Sequence, residues 1–300
     1  MDRVLEYKIS REYDGANVIT VLKQQLKIST NLIKDLKKYP EGLRLNGEHI
    51  RTVDAVKEND ILTVTLRDTA SENIIPKDIP LDIVYEDEDI LVLNKPPHMP
   101  THPSMGNYEN SLANGVMHYF KSKGEDRVFR AVNRLDKDTS GLMAVAKNSY
   151  IHARLGEQIH TKALHRKYKC IVCGDIEHDG TINAPIKRAD GSVINRIVAP
   201  DGQRAITHYK VIERFGDYTL LEMELETGRT HQIRVHMAHI GYPLVGDWLY
   251  GTEDHSIAKR QMLHSCYLRL VHPITGEEMI FMDEMSQDMR DFIEKVSQKH

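Results

Sequence analysis

Two apolar segments, Val128-Phe129-Arg130-Ala131-Val132 and Leu142-Met143-Ala144-Val145-Ala146, flank the polar run Asn133-Arg134-Leu135-Asp136-Lys137-Asp138-Thr139-Ser140-Gly141. The flanks have the length and composition of short buried strands, so the run between them reads as a turn mounted on a sheet, a rigid place for chemistry. Asp136 is the candidate nucleophile. A free aspartate titrates near ~3.9 and is ionised at neutral pH; a neighbouring arginine, Arg134 or Arg229, would keep it so after desolvation, leaving an anion able to attack an electrophilic carbon. The competing reading is an aspartate that merely caps the turn. A calcium loop is excluded, because the twelfth position counted from Asp136 is Lys147, where a bidentate glutamate is required.

Read in order, residues 1–13 alternate like a strand, apolar residues at 18, 19, 22 and 26 have helical spacing, and Ser29 can cap a second helix over 31–38. Asn46-Gly47 then marks a hairpin, and 61–66 is a closing strand. Residues 67–80 lack periodicity and contain Pro76 and Pro80, which places a linker at 71–80, between a small module (1–70) and a large domain (81–300). The large domain opens with a hairpin, 81–85 and 90–95, and a helix over 111–121. Beyond the polar turn come a helix capped by Ser149, a strand at 167–172, a long basic loop at 183–204 and strands at 205–212 and 218–225. A helix capped by Thr230, strands at 263–270 and 278–282, and a helix over 287–297 complete it.

The chain carries a formal charge of −4 with a pI near 6.5, which excludes a uniformly basic nucleic-acid binder and leaves local patches to decide. Lys147, Arg154, Lys162, Arg166, Lys167 and Lys169 face only Glu157 along 147–169, the strongest polyanion candidate; Lys187 and Arg188 in the basic loop and Lys34, Lys37 and Lys38 near the amino terminus are further ones. Three cysteines, an odd number without a secretory segment, point to a reducing cytoplasm rather than a disulfide framework. No run reaches the ~18–20 apolar residues of a membrane span. Cys170 and Cys173 sit three apart on a strand and so point to opposite faces, against a metal pair. His236 and His239 stand one helical turn apart but lack a glutamate partner, so no metal is expected.

The ordered set Arg134-Leu135-Asp136-x-x-Thr139-Ser140-Gly141-Leu142, Arg166-Lys167-Tyr168 and Thr227-Gly228-Arg229-Thr230-His231-Gln232-Ile233-Arg234-Val235-His236 resembles the RluA-type RNA pseudouridine synthases. Leu93-Asn94-Lys95-Pro96, Gly246-Asp247-x-x-Tyr250-Gly251 and His272-Pro273 extend the likeness over 80–283. Residues Ser29–Leu36 and Leu43–Ile50 resemble the alpha-L RNA-binding domain of the ribosomal-protein S-four type. The resemblance implies an α+β fold, a large mixed, mainly antiparallel sheet flanked by helices plus a small α/β module. It also implies cofactor-free isomerisation of uridine in RNA, with Asp136 as catalytic aspartate, Tyr168 near the target base and Arg229 pairing with Asp136. Asn133, Arg134, Arg166 and Lys167 would meet RNA, Arg134 by filling the gap left by a flipped base. Ribosomal RNA is the expected partner, transfer RNA the alternative, and a monomer is expected. Asn133 departs from the family's usual histidine, which keeps a non-catalytic RNA-binding or chaperone role open as the competing function.

Overall fold

The computed structural model describes residues 2–68, 74–104, 106–251 and 257–298. Near the amino terminus β1 (Arg3–Lys8), α1 (Val18–Gln24), α2 (Thr30–Leu36), β2 (Leu43–Leu45), β3 (Glu48–His49) and β4 (Ile61–Leu66) form a four-stranded antiparallel sheet, ordered β1-β4-β2-β3, and its two helices. Asn46 and Gly47 both take positive φ, the turn that matches strand twist in a two-residue hairpin. Ser29 caps α2 by accepting the Leu32 N–H at 3.2 Å. Val18, Val21, Leu22, Ile33 and Leu36 bury the helix faces in a cluster with Leu5, Leu62 and Val64. The first strand is shorter than the alternation suggests, giving way to a 3-10 turn at Arg11–Tyr13. Part of the expected linker, 71–73, lies outside the described residues.

The larger sheet draws on β5 (Asp82–Glu86), β6 (Ile90–Lys95), β7 (Ser140–Ala146), β8 (His165–Cys173), β9 (Gly180–Asn183), β12 (Ile206–Arg214), β13 (Tyr218–Leu225), β14 (Leu263–Val271) and β15 (Glu278–Met282). A separate hairpin, β10 (Ile186–Arg188) with β11 (Arg196–Val198), stands off it, and α3 (Leu112–Ser122), α4 (Ser149–Thr161), α5 (Gln232–His239) and α6 (Gln287–Ser297) complete the chain. The nine strands run β5-β6-β7-β14-β8-β13-β12-β9 with β15 against β14, and every pairing is antiparallel except β7 with β14. The fold is therefore α+β, as the strand pattern and the resemblance imply.

Strand alternation divides the core. Ile90, Val92, Leu142 and Ala144 face a cluster shared with α4 and the amino-terminal sheet, whereas Leu91, Leu93, Met143 and Val145 face α3 and α5. All of β7 is buried, which is why it reads as an unbroken apolar run. Its parallel contact with β14 requires Gly141: at φ 109 a Cβ would lie 2.3 Å from the Ser265 carbonyl oxygen.

Four local expectations change. Residues 128–132 do not form a full strand; they touch β7 through one bridge, Ala131 to Val145. The Asn133 side chain then replaces the ladder, accepting the Ala144 N–H at 2.9 Å and reaching the Leu142 carbonyl at 3.5 Å. Asn148, not Ser149, caps α4, accepting the Ile151 N–H at 2.9 Å. At α5 the capping position is His231 rather than Thr230. The supposed loop 183–204 contains the β10–β11 hairpin, whose short strands and turn residues gave no alternation to see.

Candidate active site

The topology assembles the site around β14. β7 and β8 both flank it, Gly141 lying beside Ser265 and Ser265 opposite Tyr168, so the polar turn ahead of β7 and the tyrosine on β8 come together. α5 enters with its first turn toward the same place, and the cleft so formed, of about 1080 Å³, is lined by Asp136, Tyr168, His231 and Arg234 among others.

The turn itself is held from below through its carbonyl groups. Thr101 Oγ1 donates to the Leu135 carbonyl at 2.8 Å, the Thr139 N–H to that of Asp136 at 3.1 Å, Lys95 Nζ to that of Lys137 at 3.1 Å and Arg260 Nη1 to that of Asp138 at 2.8 Å. Lys95 is fully buried and also donates to the Pro96 and Met99 carbonyls, both at 2.8 Å, which suits an ammonium with three donors. Burial nevertheless pushes its pKa down to about 7, against the pull of the Asp138 and Asp136 charges. Arg260, 1% exposed, is fixed by Asp288 at 2.6 and 2.9 Å.

The arginine that meets Asp136 is Arg234, whose Nη1 lies 3.2 Å from Oδ2. Arg229, the expected partner, is exposed and donates from Nε to the Arg204 carbonyl at 3.1 Å. The reason is helical geometry: Arg229 precedes α5, while Arg234 sits on the buried face of its first turn. Asp247, wholly buried, clamps Arg234 with two bonds of 2.7 and 2.8 Å. Burial works against the Arg234 cation, but the bonds and charges of Asp247 and Asp136 outweigh it and raise the pKa. Among the described residues nothing hydrogen-bonds Asp136 Oδ1, and a quarter of the side chain is exposed to the cleft. Tyr168 is buried on the cleft wall; burial and then the Asp136 charge lift its phenol above the usual value while Arg166 opposes them, so the phenol is protonated at rest.

The charges sort differently from their order in the sequence. Lys147 is buried against Glu86 at 2.8 Å, Lys167 pairs with Glu222 at 2.8 Å, Lys187 with Asp201 at 2.9 Å and Lys162 with Glu226 at 3.1 Å. Arg154 is bound by Glu157. Carboxylates, most of them from distant segments, thus neutralise Lys147, Arg154, Lys162 and Lys167 of the basic stretch. Arg134, Arg166, Arg188, Arg196 and Arg229 line the cleft and have no carboxylate partner among the described residues. Asn133, 3% exposed at the cleft wall, turns both amide heavy atoms to β7. Lys34, Lys37 and Lys38 are exposed on α2 and after it, Lys38 beside Asp35 at 2.6 Å. His236 bonds Thr207 at 2.9 Å and the Ala184 carbonyl at 2.8 Å, a structural histidine, and no cluster of three metal-ligating side chains occurs among the described residues. Cys170 and Cys173 are free thiols packed into different clusters on opposite faces of β8.

The family model for RNA pseudouridylate synthase matches residues 89–239, and the chain is 42% identical over 271 residues to "Uncharacterized RNA pseudouridine synthase YjbO" of Bacillus subtilis (strain 168), covering 90% of this chain and 95% of that protein. The chain belongs to the RNA pseudouridylate synthase family. Another relative within this pseudouridylate synthase group, "Ribosomal large subunit pseudouridine synthase D" of Escherichia coli (strain K12), is 44% identical over 232 residues, 73% of this chain and 71% of that one. The solved "Human RNA Pseudouridylate Synthase Domain Containing 1" shares the synthase fold, with a TM-score of 0.58, 24% identity and coverage of 73% of this chain and 96% of that chain. The motif 227–236 already held Arg234 and His231, and the motif around Asp247 held its clamp. What the sequence could not show was which of two arginines faces the aspartate.

Proposed function

We propose that this protein isomerises uridine to pseudouridine in ribosomal RNA, with Asp136 as nucleophile, Arg234 as the group that orients it and Tyr168 as the wall against which the base sits. The observation that carries this reading is the Asp136 carboxylate in the cleft, one oxygen bound by Arg234 and the other without a hydrogen bond among the described residues. The C1′–N1 bond breaks, uracil turns while held, and C1′ bonds to C5, whose proton passes to solvent while N1 gains one. Because the reaction is an isomerisation, no cofactor is needed. The base must leave its stack at a cost of a few kcal/mol, and exposed Arg134 beside Asp136 is placed to fill the gap. Arg166, Arg188 and Arg229 supply phosphate contacts that position the RNA. Residues 1–70 serve as an RNA-binding module through Lys34, Lys37 and Lys38, connected by 71–80 to a catalytic domain over 81–300 and packed against it. The enzyme acts as a monomer in the cytoplasm, where ribosomal RNA is found.

The test is release of tritium from RNA labelled at uridine C5. Wild-type protein releases it and Asp136→Asn does not; equal release by the two would refute the role of Asp136. Mapping pseudouridine in ribosomal and transfer RNA from cells with and without the gene identifies the substrate, and an unchanged ribosomal map would exclude it.

A further inference from the structure

His231 occupies the capping position of α5 with φ 58, in the left-handed region, and its side chain makes no capping hydrogen bond. A non-glycine residue there is uncommon, and such a conformation persists where surrounding contacts demand it. Its ring, 12% exposed, is anchored instead at Nδ1 and faces Asp136 through Nε2. Nδ1 lies 2.9 Å from the Tyr250 hydroxyl, and Nε2 lies 3.9 Å from Asp136 Oδ2. The Tyr250 oxygen also accepts the main-chain N–H of Arg196 at 2.9 Å. The Arg196 N–H fills one acceptor site of that oxygen; when the phenol gives its own proton to Nδ1, the hydrogen of the neutral imidazole is on Nε2, toward Asp136. Tyr250 is itself braced, edge-on to the His231 ring at 5.7 Å between centroids and under the Arg234 guanidinium at 5.1 Å.

Arg234 and His231 therefore converge on one oxygen of Asp136, and the second link in the chain is main chain of the β10–β11 hairpin that carries Arg188 and Arg196 into the cleft. We propose that His231, held as its Nε2–H tautomer by Tyr250, is a positioning residue that selects which Asp136 oxygen faces the substrate and ties that selection to the seating of the β10–β11 hairpin. This rests on Asp136 being the nucleophile.

The groups that face the imidazole are Asp136 from the turn, Arg234 from α5, Arg196 from β11, and Tyr250 and Asp247 from the segment after α5. Burial, reinforced by the two arginines and opposed by the two carboxylates, lowers its pKa, so the ring is neutral in the working enzyme. Removing the Tyr250 proton leaves Nδ1 free to bind one from water. The imidazolium then forms at higher pH and pairs with Asp136.

The experiment compares His231→Asn, His231→Gln and Tyr250→Phe by kcat, KM and pH profile on C5-tritiated RNA, with Asp136→Asn alongside. Asparagine accepts the left-handed backbone but is too short to reach Asp136, whereas glutamine can present an N–H near the Nε2 position. The expected results are a kcat loss of about 10- to 100-fold in His231→Asn with KM within about twofold, and partial recovery in His231→Gln. In Tyr250→Phe the acid limb of kcat moves to higher pH. Wild-type kcat and pH profile in both His231→Asn and Tyr250→Phe, or glutamine no better than asparagine, would overturn the proposal. An active Asp136→Asn would instead overturn the reading beneath it. If the His231 variants do not fold, the acid limb of Tyr250→Phe decides alone.

Discussion

Replacing Asp247 by asparagine removes the charge that clamps Arg234 while keeping the shape of the side chain. Asp247 is wholly buried and Arg234 5% exposed in side chain, so solvent does little to screen the loss. Breaking a buried pair by neutralising one partner costs about 3–5 kcal/mol. At roughly 2–4 °C per kcal/mol for a chain of several hundred residues, the melting temperature falls by about 6–20 °C. Activity falls too, for a separate reason: the guanidinium, left with Asp136 as its only carboxylate among the described residues, turns to take both of its oxygens. A displacement on this scale costs about 10²-fold in kcat. Calorimetry and tritium release from C5-labelled RNA measure the two effects. The double variant Arg234→Met with Asp247→Leu regains much of the stability and none of the activity. Asp247→Asn melting within about 2 °C of wild type, with wild-type turnover, would refute this account of the site.

Other perturbations separate the remaining roles. Asn133→Ala leaves the Ala144 N–H of β7 unpaired, while the Leu142 carbonyl keeps the Ser265 hydroxyl at 3.1 Å, and should cost about 1–3 kcal/mol in urea unfolding, with RNA affinity unchanged. Arg229→Ala, at an exposed cleft arginine, should weaken RNA binding uniformly across sequences and lower the slope of log affinity against log salt by about 1. Lys95→Met tests the buried ammonium: with its folded pKa near 7 against 10.5 when unfolded, the folded state binds fewer protons between those values, so Lys95 makes stability rise with pH across that window. The variant should lack that component, seen as a flatter difference in denaturant midpoint from pH 7 to pH 10.

Strand alternation, helix spacing and turn chemistry showed most of the fold from the sequence, because these are local properties; the hairpin at Asn46-Gly47 and the helix over 287–297 needed nothing from elsewhere in the chain. The candidate site was legible where a motif carries its chemistry in its own residues, as with Asp136 and Tyr168, which both line the cleft. Pairings between distant segments were not. Arg229 and Arg234 stand in one motif, and only the entry angle of α5 decides between them. Lys147 and Lys167 looked like a polyanion surface until Glu86 and Glu222, on other strands, took up their charge. Asn133 gave no sign that its amide would act as a piece of β-ladder.

Arg260 holds the carbonyl of Asp138 from beneath, and Asp288 and Ser286, at the start of the last helix, hold Arg260. None of these three lies within residues 89–239, the span by which kinship is recognised. A chain that stopped at residue 285 would still contain Asp136, Tyr168, Arg234 and Asp247, yet the cation under the Asp136 turn would have lost its counterion. The support of this turn therefore reaches beyond the family signature, and a stop codon at position 286 would remove it from a turn more than a hundred residues upstream without removing any residue that lines the cleft.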